Sequence, residues 1–291
     1  MSANAGRRDA LNEQRRIRPS ARPKRWLFAI CIALMGCVGA RSTGGRVRID
    51  GSNGVIPLAT ALAAEHQRSS PVVLEIGKGL GSAERMQAVE DGRIDIALAS
   101  HGIDRAALSR RGLSVHEFAK SAVVFGVHES VGLTAITSAQ VCDIFSGRLT
   151  NWQALGGSDL PIVARTRATS EVDVEVIRER VGCFQGLTMP PAVLVLASTG
   201  EMARELAALR GGIGVTTSTI AEQSGGRIKA LALDGIAPTT ENVARGAYTL
   251  VRSSYFVTRS TTTDAVRAFM AFAKSETGAK VVLANGAVPV R

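Results

Sequence analysis

From residue 47 onward the apolar positions of this chain switch repeatedly between a strand-like and a helix-like period. Residues 47–50 form an apolar β-type run, 58–66 a helical pattern, 72–76 a second strand, 83–90 a second helix and 94–99 a buried strand. That is a βαβαβ opening, the mark of an α/β fold. A polar stretch and the apolar run 122–127 follow, then helix 138–145, strand 160–164, helix 172–180, strand 193–196 and helix 201–209. Residues 228–233 and 248–257 read as strands, and 265–274 and 278–285 as closing helices. No internal repeat interrupts this order.

Two glycine/serine turns carry the first chemical signal. DGSNGVIP starts at Asp50 and GKGLGSAE at Gly77; each follows a predicted strand and opens into a predicted helix. Such a turn leaves free backbone N–H groups at a helix N-terminus, so two of them side by side would cradle an anion. The local alternative is helix capping by Ser52, Asn53 or Ser82, which does not exclude ligand contact. Gly77-Lys78-Gly79 and Gly211-Gly212-Ile213-Gly214 lack the Gly-Lys-Ser/Thr of a nucleotide loop and read as turns.

The first 46 residues change how the charge is read. They hold ten Lys/Arg against Asp9 and Glu13, so they supply +8 of the formal +10 and leave about +2 for residues 47–291. The remaining chain is nearly balanced, which gives no reason to expect a nucleic-acid partner. Arg22 to Arg25 followed by WLFAICIALMGCVGA has the anatomy of an export signal. Three outcomes stay open: lipidation at Cys37 in the lipobox-like Leu34-Met35-Gly36-Cys37, ordinary cleavage after Val38-Gly39-Ala40, or an uncleaved anchor. The protein is expected to be exported and either periplasmic or lipid-anchored to the membrane.

Beyond Cys31 and Cys37, only Cys142 and Cys183 remain. An even pair in an oxidising compartment allows a disulfide, and two buried thiols are the alternative. No CxxC exists, and His66, His101, His116 and His128 show no metal-ligand spacing, so no cofactor or metal is expected. Trp152 reads as packing beneath a turn, and His101 as a surface or cleft-edge imidazole.

Four stretches together resemble the phosphate-binding type of periplasmic solute-binding protein, the extracytoplasmic component of phosphate ABC importers. They are GSNGVIPLATALAAEH, GLGSAERMQAVEDGRIDIALAS, VCDIFSGRLTNWQALGGSDLPIVAR and GIAPTTENVARGAYTLVRSSYFVTR. The resemblance implies a type II periplasmic binding protein fold, with two α/β domains joined by two hinge crossings and a ligand cleft between them. It groups residues 47–122 with 228–291 as one lobe and 123–227 as the other, with 1–46 as the signal segment. It implies a binder of inorganic phosphate or a similar oxyanion, working as a monomer with an ABC permease in the inner membrane, and not an enzyme.

Carried over by position, the resemblance makes ligand residues of Ser52, Asn53, Gly54 and Val55 in the first turn, Ser82 in the second and Ser100 after the third strand. In the second lobe it points to Arg165, Thr169 and Ser170. There the pattern departs from the family: Ser170 replaces a glycine that permits close backbone approach, and Glu171 replaces a threonine donor. A carboxylate at Glu171 would repel a phosphate if it faced the cleft, whereas a solvent-facing Glu171 would be an ordinary helix-start acid. Two other readings therefore stand beside oxyanion capture. One is a lipoprotein of the same fold whose ligand is changed or lost, acting as a sensor or accessory binding protein. The other is a serine hydrolase, for which no recognisable histidine and acid accompany Ser52 or Ser82.

Overall fold

The computed structural model describes residues 45–290. Residues 1–44, which hold Cys37 and nearly all of the expected signal segment, lie outside the described residues. Strands and helices alternate in the order β1 (Arg46–Gly51), α1 (Ile56–His66), β2 (Val73–Ile76), α2 (Ser82–Glu90), β3 (Ile96–Ser100), α3 (Arg105–Arg110) and β4 (Leu113–His128). The chain continues through β5 (Ala135–Ile136), α4 (Ser138–Phe145), β6 (Val163–Arg167), α5 (Val172–Arg180), β7 (Leu194–Leu196), α6 (Thr199–Ala208), β8 (Gly212–Thr217) and α7 (Ser218–Gln223). It closes with β9 (Ile228–Ala230), β10 (Ala232–Leu233), α8 (Thr240–Ala244), β11 (Val251–Arg259), α9 (Asp264–Lys274), α10 (Glu276–Ala284) and β12 (Ala287–Pro289).

The main sheet runs β2-β1-β3-β11-β4-β8-β6-β7 and defines a two-lobed α/β fold. In the first half β1 pairs in parallel with β2 and β3, as βαβ connections require. In the second half β6 lies parallel to both β7 and β8. β4 belongs to both halves: its residues up to Ala122 pair with β11, and Val123 to Val127 pair with β8. The apolar run 122–127 is thus the end of a much longer strand, whose first part, LSVHEFAKS, breaks its hydrophobic alternation with charged residues.

Each half has its own core. In the first, Val47 and Ile49 alternate inward along β1 to meet Leu58 and Leu62 of α1, Phe269 of α9, and the stacked pair Phe118 and Phe256, whose ring centroids are 4.0 Å apart. In the second, Phe125, Phe145 and Phe184 pack together with Trp152, Val174 and Ile177. Trp152 is fully buried and donates its indole N–H to the Gly211 carbonyl at 2.8 Å, the packing role expected of it.

The return of the chain to the first lobe falls later than the resemblance suggests. Leu231, Leu233, Val243, Tyr248 and Leu250 are buried in the second core, and β9 pairs with Gly126 to His128 of β4, along the edge opposite β8. Residues 228–250 therefore pack with the second half, and the chain crosses back near Val251, where β11 begins opposite Ala122. The short helices α3, α7 and α8 lie outside the sequence expectation because each has six residues or fewer, too short to display a helical period.

Cys142 on α4 and Cys183 beside Phe184 form a disulfide, with Cα atoms 6.2 Å apart. It closes a loop with a sequence separation of 41 residues around the second core. Reduction, or the Cys142→Ser/Cys183→Ser double variant, is expected to lower unfolding stability by about 3–4 kcal/mol in a urea titration with and without reductant. An unchanged midpoint would show that the bridge does not constrain the unfolded chain.

Candidate anion-binding site

Helix capping separates three helices from the rest. Seven of the ten α-helices among the described residues have an N-cap side chain accepting a backbone N–H: Asp104, Thr137, Ser198, Thr217, Thr239, Thr263 and Ser275. The exceptions are α1, α2 and α5, whose N-cap residues are Val55, Gly81 and Glu171. The first N–H groups of these helices have no side-chain acceptor, and their dipoles present partial positive charge. Two of the three follow the glycine/serine turns, and the third follows the Arg165 to Ser170 loop.

The two first-lobe turns are fastened to each other. The Asp50 carboxylate accepts N–H bonds from Gly51 at 2.7 Å and from Gly79 at 2.8 Å, and the Leu80 N–H bonds the Gly51 carbonyl at 2.9 Å. Gly79 has φ +117°, and a Cβ there would stand 2.0 Å from Oδ1 of Asn53, so only glycine lets the turns approach this closely. Ser52 donates its backbone N–H to Leu98 of β3 at 2.9 Å, which sets this pair of turns beside the end of that strand.

Arg252 of β11 ties the first turn to α5. It is 2% exposed; Nη2 donates to the Gly54 carbonyl, and Nη1 lies 3.2 Å from the carboxylate of Asp173 in the first turn of α5. A Cβ on Gly54 would fall 2.2 Å from this guanidinium. One side chain from the hinge region therefore brings the N-terminal ends of α1 and α5 together. His101 makes a looser link alongside, with Nε2 3.8 Å from Glu179 of α5, and so occupies the cleft edge.

Two further arginines complete the cluster. Arg167, at the end of β6, donates to Thr199 Oγ1 at 3.1 Å and to the Ala197 carbonyl at 3.4 Å, and lies 3.1 Å from Glu171. Arg85 of α2 donates to Ser82 Oγ at 3.0 Å. Burial pulls the Arg85 guanidinium below its ordinary pKa, and the negative charge of Glu171 opposes that shift. Seven buried side-chain polar atoms among the described residues lack a hydrogen-bond partner; three are here as unpaired donors, Nε of Arg85, Arg167 and Arg252, and a fourth, Oδ1 of Asp173, has only its ion-pair contact with Arg252. Unsatisfied buried groups are uncommon in folded proteins, and their concentration at one place marks a polar site.

The sequence-derived residues divide accordingly. Ser52, Asn53, Gly54 and Val55 all lie in the turn before α1, Ser82 is the first residue of α2, and exposed Thr169 and Ser170 immediately precede α5. Ser100 is buried at the end of β3 and donates its hydroxyl to the Ser253 carbonyl at 3.0 Å, next to Arg252. Arg165 stands apart. Its Nε donates to Glu205 of α6 at 3.1 Å and its Nη1 to the Ala164 carbonyl, so its charge is spent inside the second lobe. Arg167, two residues further along the same face of β6, is the arginine that reaches the α5 N-terminus. Neither Ser52 nor Ser82 hydrogen-bonds a histidine among the described residues.

Residues 38–277 match the PBP superfamily domain. The chain belongs to this superfamily. The phosphate-binding protein PstS of Bacillus subtilis is 24% identical over 259 residues, 87% of this chain and 83% of that protein. A crystal structure described as a phosphate ABC transporter substrate-binding protein with bound phosphate, from Clostridium perfringens, superposes with a TM-score of 0.70 at 26% identity. It covers 85% of this chain and all of the other. An ABC-type phosphate transport receptor from Vibrio cholerae gives 0.57 at 25% identity, over 83% of this chain and 99% of that one.

The buried pair holding these elements together has a measurable weight. Asp173→Ala leaves the Arg252 charge buried with one partner fewer, and is expected to destabilise the fold by about 3–5 kcal/mol in chemical denaturation. Glu276→Ala, which removes an exposed partner of Lys280, serves as the control and should cost no more than about 0.5 kcal/mol.

Proposed function

We propose that this protein is an extracytoplasmic receptor that captures phosphate or a closely related oxyanion between its lobes and hands it to an ABC permease of the inner membrane. The observation that carries this reading is the set of three uncapped helix N-termini, α1, α2 and α5, gathered around Arg85, Arg167 and Arg252. Backbone N–H groups and guanidinia donate in fixed directions to a tetrahedral oxyanion, and helix ends add positive charge without a mobile counter-ion. The relatives named as phosphate-binding proteins favour the same ligand. A fold kept without its anion would give no reason for leaving these three helices uncapped while seven others are capped.

In this reading the ligand meets the N–H groups and hydroxyls of the Ser52 to Val55 turn, Ser82, the N–H groups of the Thr169 to Glu171 stretch, and the guanidinium of Arg167 in place of Arg165. Ser100 supports the site from beneath by fixing the Ser253 carbonyl beside Arg252. The protein works as an exported monomer, either released into the periplasm or held to the membrane by a lipid on Cys37. No helix among the described residues is long and apolar enough to cross a membrane.

Isothermal titration with phosphate tests the assignment. Arg167→Ala should weaken binding by roughly tenfold or more, the worth of a charge-assisted hydrogen bond, while Arg165→Ala leaves the affinity within about threefold. Equal losses in the two variants would return the role to Arg165, and flat traces with both phosphate and sulfate for the unaltered protein would remove the oxyanion reading.

A further inference from the structure

A carboxylate already stands among the arginines of this site. Glu171 occupies the N-cap position of α5, where Ser, Thr, Asp or Asn would fold back and accept a helix N–H. It does not cap. Its longer side chain carries the charge away from the helix to Oε1, 3.1 Å from Nη2 of Arg167, in an ion pair with one buried and one half-exposed partner. The Arg167 guanidinium is itself fixed from behind by Thr199 and the Ala197 carbonyl, while its Nε remains without a partner. On the first-lobe side, Arg85 keeps its own buried Nε unpaired, and the charge of Glu171 reaches it.

We propose that Glu171 is the specificity-determining residue of the cleft: a tethered anion that an incoming oxyanion has to displace from Arg167. The inference rests on the oxyanion reading above and deepens it. Coulomb repulsion scales with the product of the charges, so a doubly charged ligand is penalised more heavily by Glu171 than a singly charged one. The cleft therefore ranks anions by charge as well as by shape. Its affinity for the dianion is set below what the arginines and helix ends would otherwise give.

The exposure of the two partners fits this role. Arg167 is held almost out of solvent, with its side chain 3% exposed, whereas Glu171 is 45% exposed and has room to swing away. Glu171 is the movable partner, and the cation stays in place to receive the ligand.

The test is a comparison of the purified protein with its Glu171→Gln and Glu171→Thr variants by isothermal titration. Phosphate is used at about pH 8, where it is mainly doubly charged, beside hypophosphite as a singly charged oxyanion. Thermal melts accompany the titrations; Glu171→Thr supplies a side chain able to cap α5, so at least one variant keeps a folded reference. Both variants should bind phosphate at least tenfold more tightly than the unaltered protein, with a smaller gain for hypophosphite. Arg167→Ala added to Glu171→Gln should return most of the gain, because the cation released by the first change is removed by the second. Phosphate binding that is unchanged or weaker in both variants overturns the role of Glu171 and leaves the oxyanion reading standing, as does an equal gain for both ligands. Absence of any binding in all forms overturns both together.

Discussion

A guanidinium buried at the junction of three chain segments organises this molecule. Arg252 has almost no access to water, so its charge is tolerable only with acceptors arranged around it. The Gly54 carbonyl and the Asp173 carboxylate provide them, one from the turn before α1 and one from the first turn of α5. Each acceptor is thereby fixed with respect to the other. Gly54 has to lack a side chain for the approach to be possible, and Asp173 has to sit on the face of α5 turned toward β11. The placement of the α1 end against the α5 end follows from satisfying this one charge.

Much of the fold is legible in local chemistry. The helical pattern over residues 138–145 coincides with α4, whose Val141, Cys142, Ile144 and Phe145 form one buried stripe behind the Thr137 and Gln140 capping box, and that over 172–180 coincides with α5, which carries Asp173 and Glu175 in its first turn and Arg178 and Arg180 in its last. The glycine/serine turns are equally legible, since free helix ends and positive-φ glycines are properties of short segments. Pairing at a distance leaves no such local trace. Arg165 and Arg167 lie on one face of β6 and differ only in which residue of α6 or its approach lies opposite, so Glu205 and Thr199, more than thirty residues later, decide their roles.

Arg252 itself leaves a faint mark. In Val251–Arg259 it shares the inward face with Ser254 and Phe256, so a charge falls at a period-2 position otherwise reserved for buried side chains. A charged residue on the core face of a strand announces a buried partner, although not its identity. Arg85 leaves less, because in Ser82–Glu90 it reads as one more polar position on a weakly amphipathic helix. The three uncapped N-termini stand in the same relation to the rest of the fold: seven helices follow the local rule and three do not, and the departures coincide with the site.

The strand Leu113–His128 has a mechanical consequence. It runs without interruption from the sheet of one lobe into the sheet of the other, and its partner Val251–Arg259 carries a register irregularity between Ser254 and Tyr255. No flexible linker separates the lobes along this path. Any change in the angle between them has to be taken up as torsion distributed over a hydrogen-bonded ribbon, so the lobes are coupled by a stiff spring and not by a free joint.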